Sequence, residues 1–304
     1  MQRRPKSPAR RAIERALIRG SCGLFSVLVR LLPLGSLRRL ADGAAWLVRT
    51  LAPSRQRMAV ENMRRVFGDR YTDREYHAMA AQVTRGACRT MLELLKSPHL
   101  SADKFRRLVR TEGLEHVRAA LAEGHGLLLL SAHYGNWEWM GPILARSDLP
   151  VSVIARDSRD AFTASLINRA RQSHGLEVLG HRDARPMLRA LRANRLLLIL
   201  PDQHAGGGAI IVDFLGRPAA TPVGVATLAA RTGAPVVPGF CRRQPDGSFA
   251  AVFHPPLALV STGDLEADVR ANTILVNQVL EKEIRAHPEQ WLWLHRRWKV
   301  DPVA

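Results

Sequence analysis

The sequence is poor in cysteine, in lysine and in long uninterrupted apolar runs, and each shortage excludes something. Its only cysteines, Cys22, Cys88 and Cys241, are odd in number, far apart and form no CxxC pair. A disulfide scaffold and a structural zinc site are therefore not expected, and a reducing, cytosolic setting is the simplest inference. No HExxH or other ligand spacing accompanies His204, so no metal is assigned, and no bound cofactor is called for. No GxSxG elbow marks an activated serine. Zinc-finger spacing, aromatic RNA-binding signatures and basic heptads are also missing, which argues against nucleic acid as the partner.

Lysine is confined to Lys6, Lys96, Lys104, Lys282 and Lys299, so arginine carries the net charge of +18. Such a surface attracts acidic partners, and arginine can grip phosphate with two parallel hydrogen bonds. The 304 residues are 46% hydrophobic, which is ample for a full core.

The longest apolar segments lie near the N-terminus. After a basic start (Arg3, Arg4, Lys6, Arg10, Arg11, Arg15, Arg19), the segment 21–35 is interrupted by Arg30, and a second segment, 40–52, surrounds Trp46. Each is shorter than the roughly 20 apolar residues of a clean spanning helix, and no signal-peptidase site follows. Two readings apply: amphipathic helices packed on their own domain, or helices lying in a membrane interface. The polybasic flank favours the second, since one apolar face plus a basic cluster supplies the two signals that stable anchoring needs.

Pro53 ends this region, and the pattern divides the chain into a membrane-associated segment, 1–52, and a globular domain, 53–304. Helical spacing predicts helices over 55–67 and 73–96. From about Val109 the chain alternates. Short β-like runs fall at 127–131, 151–155, 176–179, 196–200, 210–214, 236–241 and 249–253, with helix-length stretches at 137–146, 161–174, 183–193 and 222–232. Thr221 reads as the N-cap of the last, with Pro222 at its first position and Gly233 just past its end. The fold class is α/β: a mixed, mostly buried sheet flanked by helices.

The chain is organised around Leu127–Gly141, LLLLSAHYGNWEWMG. A buried strand runs into His133, a Tyr-Gly-Asn turn with Asn136 as a helix N-cap, and then Glu138. On one continuous helix His133 and Glu138 would lie about 140° apart, so they meet only if His133 sits on the loop and the helix swings Glu138 back. Imidazole is suited to proton abstraction near neutral pH, and a carboxylate could hold one ring nitrogen protonated. Spacing alone equally allows two solvated side chains.

Loops after strands in such sheets are where sites gather. Arg156 follows its strand as His133 follows its own, and Pro201-Asp202-Gln203-His204 follows another, ahead of the loop Gly206-Gly207-Gly208. Near the end, PEQWLWLHRRWK at 288–299 interleaves tryptophan with basic residues. It suits either a lipid-headgroup surface or core tryptophans with solvated charges.

Together these residues resemble the late acyltransferases of lipid A biosynthesis, within the lysophospholipid acyltransferase-like superfamily. His133 and Glu138 match the H-x-x-x-x-D/E mark, and the closer matches are LPDQ at 200–203, DFLGRPAATPVG at 213–224, TGAPVVP at 232–238 and the 288–299 stretch. The resemblance implies transfer of a fatty acyl chain from an acyl carrier protein thioester to a hydroxyl of a phosphorylated glycolipid, a lipid A precursor. It places that reaction on an anionic membrane surface, the cytoplasmic face of the inner membrane. His133 would be the general base and Glu138 its orienting partner. Arg156, Asp202, Gln203, Arg217, Arg296 and Arg297 are the expected substrate-binding residues. Ala132 stands where many relatives have asparagine, so no help from an amide is expected there. With no nucleophile elbow, direct attack on the already activated thioester needs only a base and a charge-stabilising site.

Overall fold

The computed structural model describes residues 27–155 and 161–300. Nine strands and ten named helices lie within them. In chain order they are α1 (Leu34–Leu51), α2 (Pro53–Phe67), α3 (Asp73–Lys96), α4 (Ala102–Leu108), β1 (Val109–Glu112), α5 (Leu114–Ala122) and β2 (Leu127–Leu130). Then follow α6 (Met140–Ala145), β3 (Val151–Ala155), α7 (Ala161–Gln172), β4 (Glu177–Gly180), α8 (Ala184–Arg192) and β5 (Leu196–Ile199). The chain closes with the hairpin β6 (Ala209–Phe214) and β7 (Arg217–Pro222), α9 (Gly224–Thr232), β8 (Val236–Arg243), β9 (Phe249–Phe253) and α10 (Leu265–Ala286).

Seven strands form one sheet in the order β1-β9-β8-β2-β5-β3-β4, parallel except for the β8–β9 pair. The all-leucine β2 is buried along its whole length because it lies at the centre, covered on both faces. Its alternate residues enter two cores. Leu128 and Leu130 pack with Met187 of α8 and Leu228 of α9, whereas Leu127 and Leu129 pack with Ile143 and Leu144 of α6.

This division locates the site. After β2 the chain turns onto the α6 face to reach β3; after β5, β2's neighbour, it turns onto the opposite, α9 face to reach β8. Adjacent strands whose connections leave to opposite faces open a crevice at their carboxyl ends, where ligands bind in open α/β sheets. His133 and Asp202 stand on those two loops.

α3 begins at a capping box: Thr72 and Glu75 each accept from the other's backbone N–H. α1 packs along α3 through Leu37, Ala41 and Ala45, and Leu40, Leu47, Val48 and Leu51 remain exposed beside that buried strip. Among the described residues no helix is long and apolar enough to cross a membrane.

The two long predicted helices match α2 and α3. The expected helix start at Thr221 is corrected: Thr221 and Pro222 end β7, and the helix begins at Gly224. Thr221 is drawn into the hairpin because its hydroxyl accepts a hydrogen bond from the buried Arg297 at 2.7 Å. Strands β1 and β7 and helices α4, α5 and α10 are not anticipated by the pattern reading.

Candidate active site

His133 is placed by a tight turn at the end of β2. Gly135 has φ 57°, and a Cβ there would sit 2.0 Å from the carbonyl oxygen of Cys241, so only glycine fits. Asn136 caps the following helical turn as expected, accepting from the Trp139 N–H, and donates through Nδ2 to Glu93 at 2.9 Å. Glu93, itself buried, also receives Arg243 through two bonds of 2.8 and 2.7 Å and Arg38 of α1 at 2.7 Å. One carboxylate thus ties the His133 loop to α1, α3 and β8.

The ring nitrogen Nδ1 of His133 lies 2.8 Å from Asp202 Oδ1, and Asp202 Oδ2 accepts the His133 backbone N–H at 2.9 Å. The same Oδ2 accepts the indole N–H of Trp291 at 2.8 Å. Asp202 is fully buried, whereas the His133 side chain is 25% exposed. Burial alone would lower the imidazole pKa and raise that of the carboxyl. Their mutual attraction and hydrogen bond reverse both, holding His133 above its ordinary value and Asp202 well below its own. With Asp202 on Nδ1, the other nitrogen, Nε2, is left for a ligand.

The ring-orienting bond expected of Glu138 is therefore made by Asp202. Glu138 instead forms a two-pronged pair with Arg171 of α7, at 3.0 and 2.7 Å, because the turn after Asn136 aims it at that helix. Its charge still favours the imidazolium at longer range. Arg171 carries no signal in the sequence, lying 33 residues from its partner.

His133, Glu138, Arg171 and Gln203 line one cleft of about 740 Å³ at the carboxyl end of the sheet. Its apolar lining comes from both faces: Gly141, Val153, Leu176 and Leu198 on one, Ile154, Met187, Ile199 and Leu228 on the other. Arg182 and Arg231, both exposed, border it. Gly206 and Gly207 form part of its rim, as does His204.

The remaining expected binding residues are not brought there. Arg297 is fully buried and donates to the Ala220 carbonyl and the Thr221 hydroxyl, with its guanidinium over the Phe214 ring. It locks the β6–β7 hairpin and cannot meet a ligand. Arg217 starts β7 at the end of the hairpin away from the cleft, and Arg296 is exposed outside it. Arg156 lies outside the described residues. Trp291, Trp293 and Trp298 are core, so the 288–299 stretch is an internal clamp rather than a headgroup surface.

Neither described cysteine is an activated thiol: burial pushes Cys241 up to about 12 and also raises Cys88. The arrangement offers an imidazole held by Asp202 and raised in pKa, lining a mostly apolar cleft, with no activated thiol among the described residues.

The family model for bacterial lipid A biosynthesis acyltransferase matches residues 5–300. The chain belongs to that family. It is similar to a phosphatidylinositol mannoside acyltransferase of Mycobacterium tuberculosis, 30% identical over 305 residues, covering 98% of this chain and 93% of that one. It is also similar to the lipid A biosynthesis lauroyltransferase of Escherichia coli, 31% identical with 65% of each chain covered. The lipid A biosynthesis palmitoleoyltransferase of the same organism is 24% identical, over 85% of this chain and 83% of its own length. The protein is thus an acyltransferase of the lipid A type, and its relatives act on more than one acceptor lipid.

Proposed function

We propose that this protein is a membrane-associated O-acyltransferase, moving a fatty acyl chain from an acyl carrier protein thioester to a hydroxyl of a phosphorylated lipid A precursor. The observation that carries this reading is His133, held by Asp202, at the mouth of a largely apolar cleft in a chain of this family.

In this reading the acyl chain lies in the cleft with its thioester carbonyl beside His133. Nε2 takes the proton of the acceptor hydroxyl as its oxygen attacks the carbonyl carbon. The carbonyl oxygen gains negative charge, which Arg171 and the donors of the Gln203 loop face. Collapse breaks the carbon–sulfur bond, and the thiolate leaves with the proton from the imidazolium. Asp202 fixes the Nδ1–H tautomer and stabilises the imidazolium; Glu138 holds Arg171 towards the cleft and adds its charge. Arg182 and Arg231 at the rim draw in the acidic carrier protein. Arg156, the next residue in the sequence after β3, is assigned the phosphate grip. The exposed apolar strip of α1, with the basic N-terminus before it, lies in the membrane interface at the cytoplasmic face of the inner membrane.

The mycobacterial relative, which matches nearly the whole chain, favours a second acceptor, a phosphatidylinositol mannoside or other glycolipid, with the same chemistry. Mass spectrometry of lipids from a deletion strain separates the two. Loss of one secondary acyl chain from lipid A is the expected result, and unchanged lipid A with another glycolipid under-acylated moves the acceptor to that lipid.

A further inference from the structure

The His133 loop has a second cavity on its other side. It has a volume of about 640 Å³ and lies between α3 and two segments, 242–245 and 287–292. Trp137, whose ring centre is 5.5 Å from that of His133, is a wall of both cavities. The second is the more polar of the two. Where the His133 cleft is mostly apolar, this one presents Gln82, Arg85, Gln244, His287 and Glu289. The Gln82 and Gln244 amides have no hydrogen-bond partner among the described residues, and Arg85 comes only within 4.0 Å of Asp42. Amides donate and accept, as sugar hydroxyls do, and a guanidinium grips phosphate.

Gly86 supplies an independent indication. It lies inside α3, where glycine is less favourable than alanine, and its backbone is not left-handed. A Cβ there would meet nothing within 4 Å, so packing does not demand glycine; what the position borders is the cavity. The same wall is bound to the helix with the exposed apolar strip. Arg89 of α3, also in the lining, pairs through two bonds of 2.7 and 2.6 Å with Asp42 of α1. The cavity therefore sits beside α1, the helix that carries the exposed apolar strip.

We propose that this second cavity seats the phosphorylated glycan headgroup of the lipid acceptor, presenting one hydroxyl past Trp137 to His133 while the donor's acyl chain fills the other cleft. The assignment rests on the acyltransferase reading above. The competing occupant is the phosphopantetheine arm of the donor, and kinetics tell them apart.

The test uses the full chain in detergent, with Gly86→Trp to fill the cavity. The double variant Gln82→Ala/Arg85→Ala, at two exposed positions, guards against misfolding of the first. With acyl carrier protein thioester and glycolipid varied separately, both variants are expected to raise the acceptor KM tenfold or more and to leave the donor KM within twofold. Calorimetric titration with the deacylated, phosphorylated disaccharide headgroup gives a readout independent of turnover: binding by wild type, lost in Gly86→Trp. A raised donor KM with the acceptor KM unchanged, or wild-type constants in both variants, overturns the proposal. If wild type transfers no acyl chain at all, the functional reading fails instead, and the headgroup titration still decides whether the cavity is a glycan site.

Discussion

Asp202→Asn is expected to lower kcat by about 10³- to 10⁴-fold with little change in stability or in the donor KM. The substitution keeps shape but changes what faces Nδ1. In the native enzyme Oδ2 accepts two N–H groups, from the His133 backbone and from Trp291, while Oδ1 accepts from the ring. An asparagine satisfies the two fixed donors with its single oxygen and turns its amide N–H₂ towards Nδ1. The ring must then carry its proton on Nε2, and the base has no lone pair for the acceptor hydroxyl. The pH profile supplies a second signature. Because Asp202 raises the His133 pKa, native activity falls as pH drops through a value above the ordinary 6.5. Without that carboxylate, only the longer-range charge of Glu138 opposes burial, and the acid limb of the residual activity moves down. A profile that stays where it was would show that Asp202 does not set the state of the base.

Glu93→Ala should cost about 3–5 kcal/mol, the range for removing one partner of a buried ion pair. The two arginines it holds, Arg38 and Arg243, have side chains only 16% and 14% exposed, so both charges are left inside without a counterion. For a chain of this size the loss corresponds to a fall in Tm on the order of 10 °C. Activity should fall further than stability explains, since Asn136 loses its anchor and the turn carrying His133 loosens. Scanning calorimetry and an activity assay well below the midpoint separate the two effects. A near-native Tm would contradict the role of Glu93 as the centre of this network.

Much of the architecture is legible in the sequence because it follows from local pattern. Four consecutive leucines ending at small and polar residues specify a central strand, and the loop after it is where a crevice opens. Asn136, Gly135 and Gly233 announce their turns by residue type. The pieces that escape are those decided by distant partners. Strand β7, RPAATP, has little intrinsic β preference and is recruited by pairing with β6 and by a buried arginine some 77 residues away.

The site divides in the same way. His133 and Asp202 lie in motifs, and both are in the cleft region. Which carboxylate holds which group is a property of the folded chain: Asp202 is 69 residues from His133 yet bonded to it, while Glu138, five residues away, belongs to Arg171. Arg297 illustrates the opposite error. Basic residues among tryptophans suggest a surface, but its guanidinium is enclosed by the hairpin it stabilises.

The most direct test is acyl transfer by the detergent-purified enzyme from a labelled acyl carrier protein thioester to a Kdo-bearing lipid A precursor, with wild type beside His133→Ala. Transfer by wild type, lost by at least 10³-fold in a variant that keeps the native Tm, is the predicted result. Undiminished transfer by His133→Ala would contradict the account at its centre.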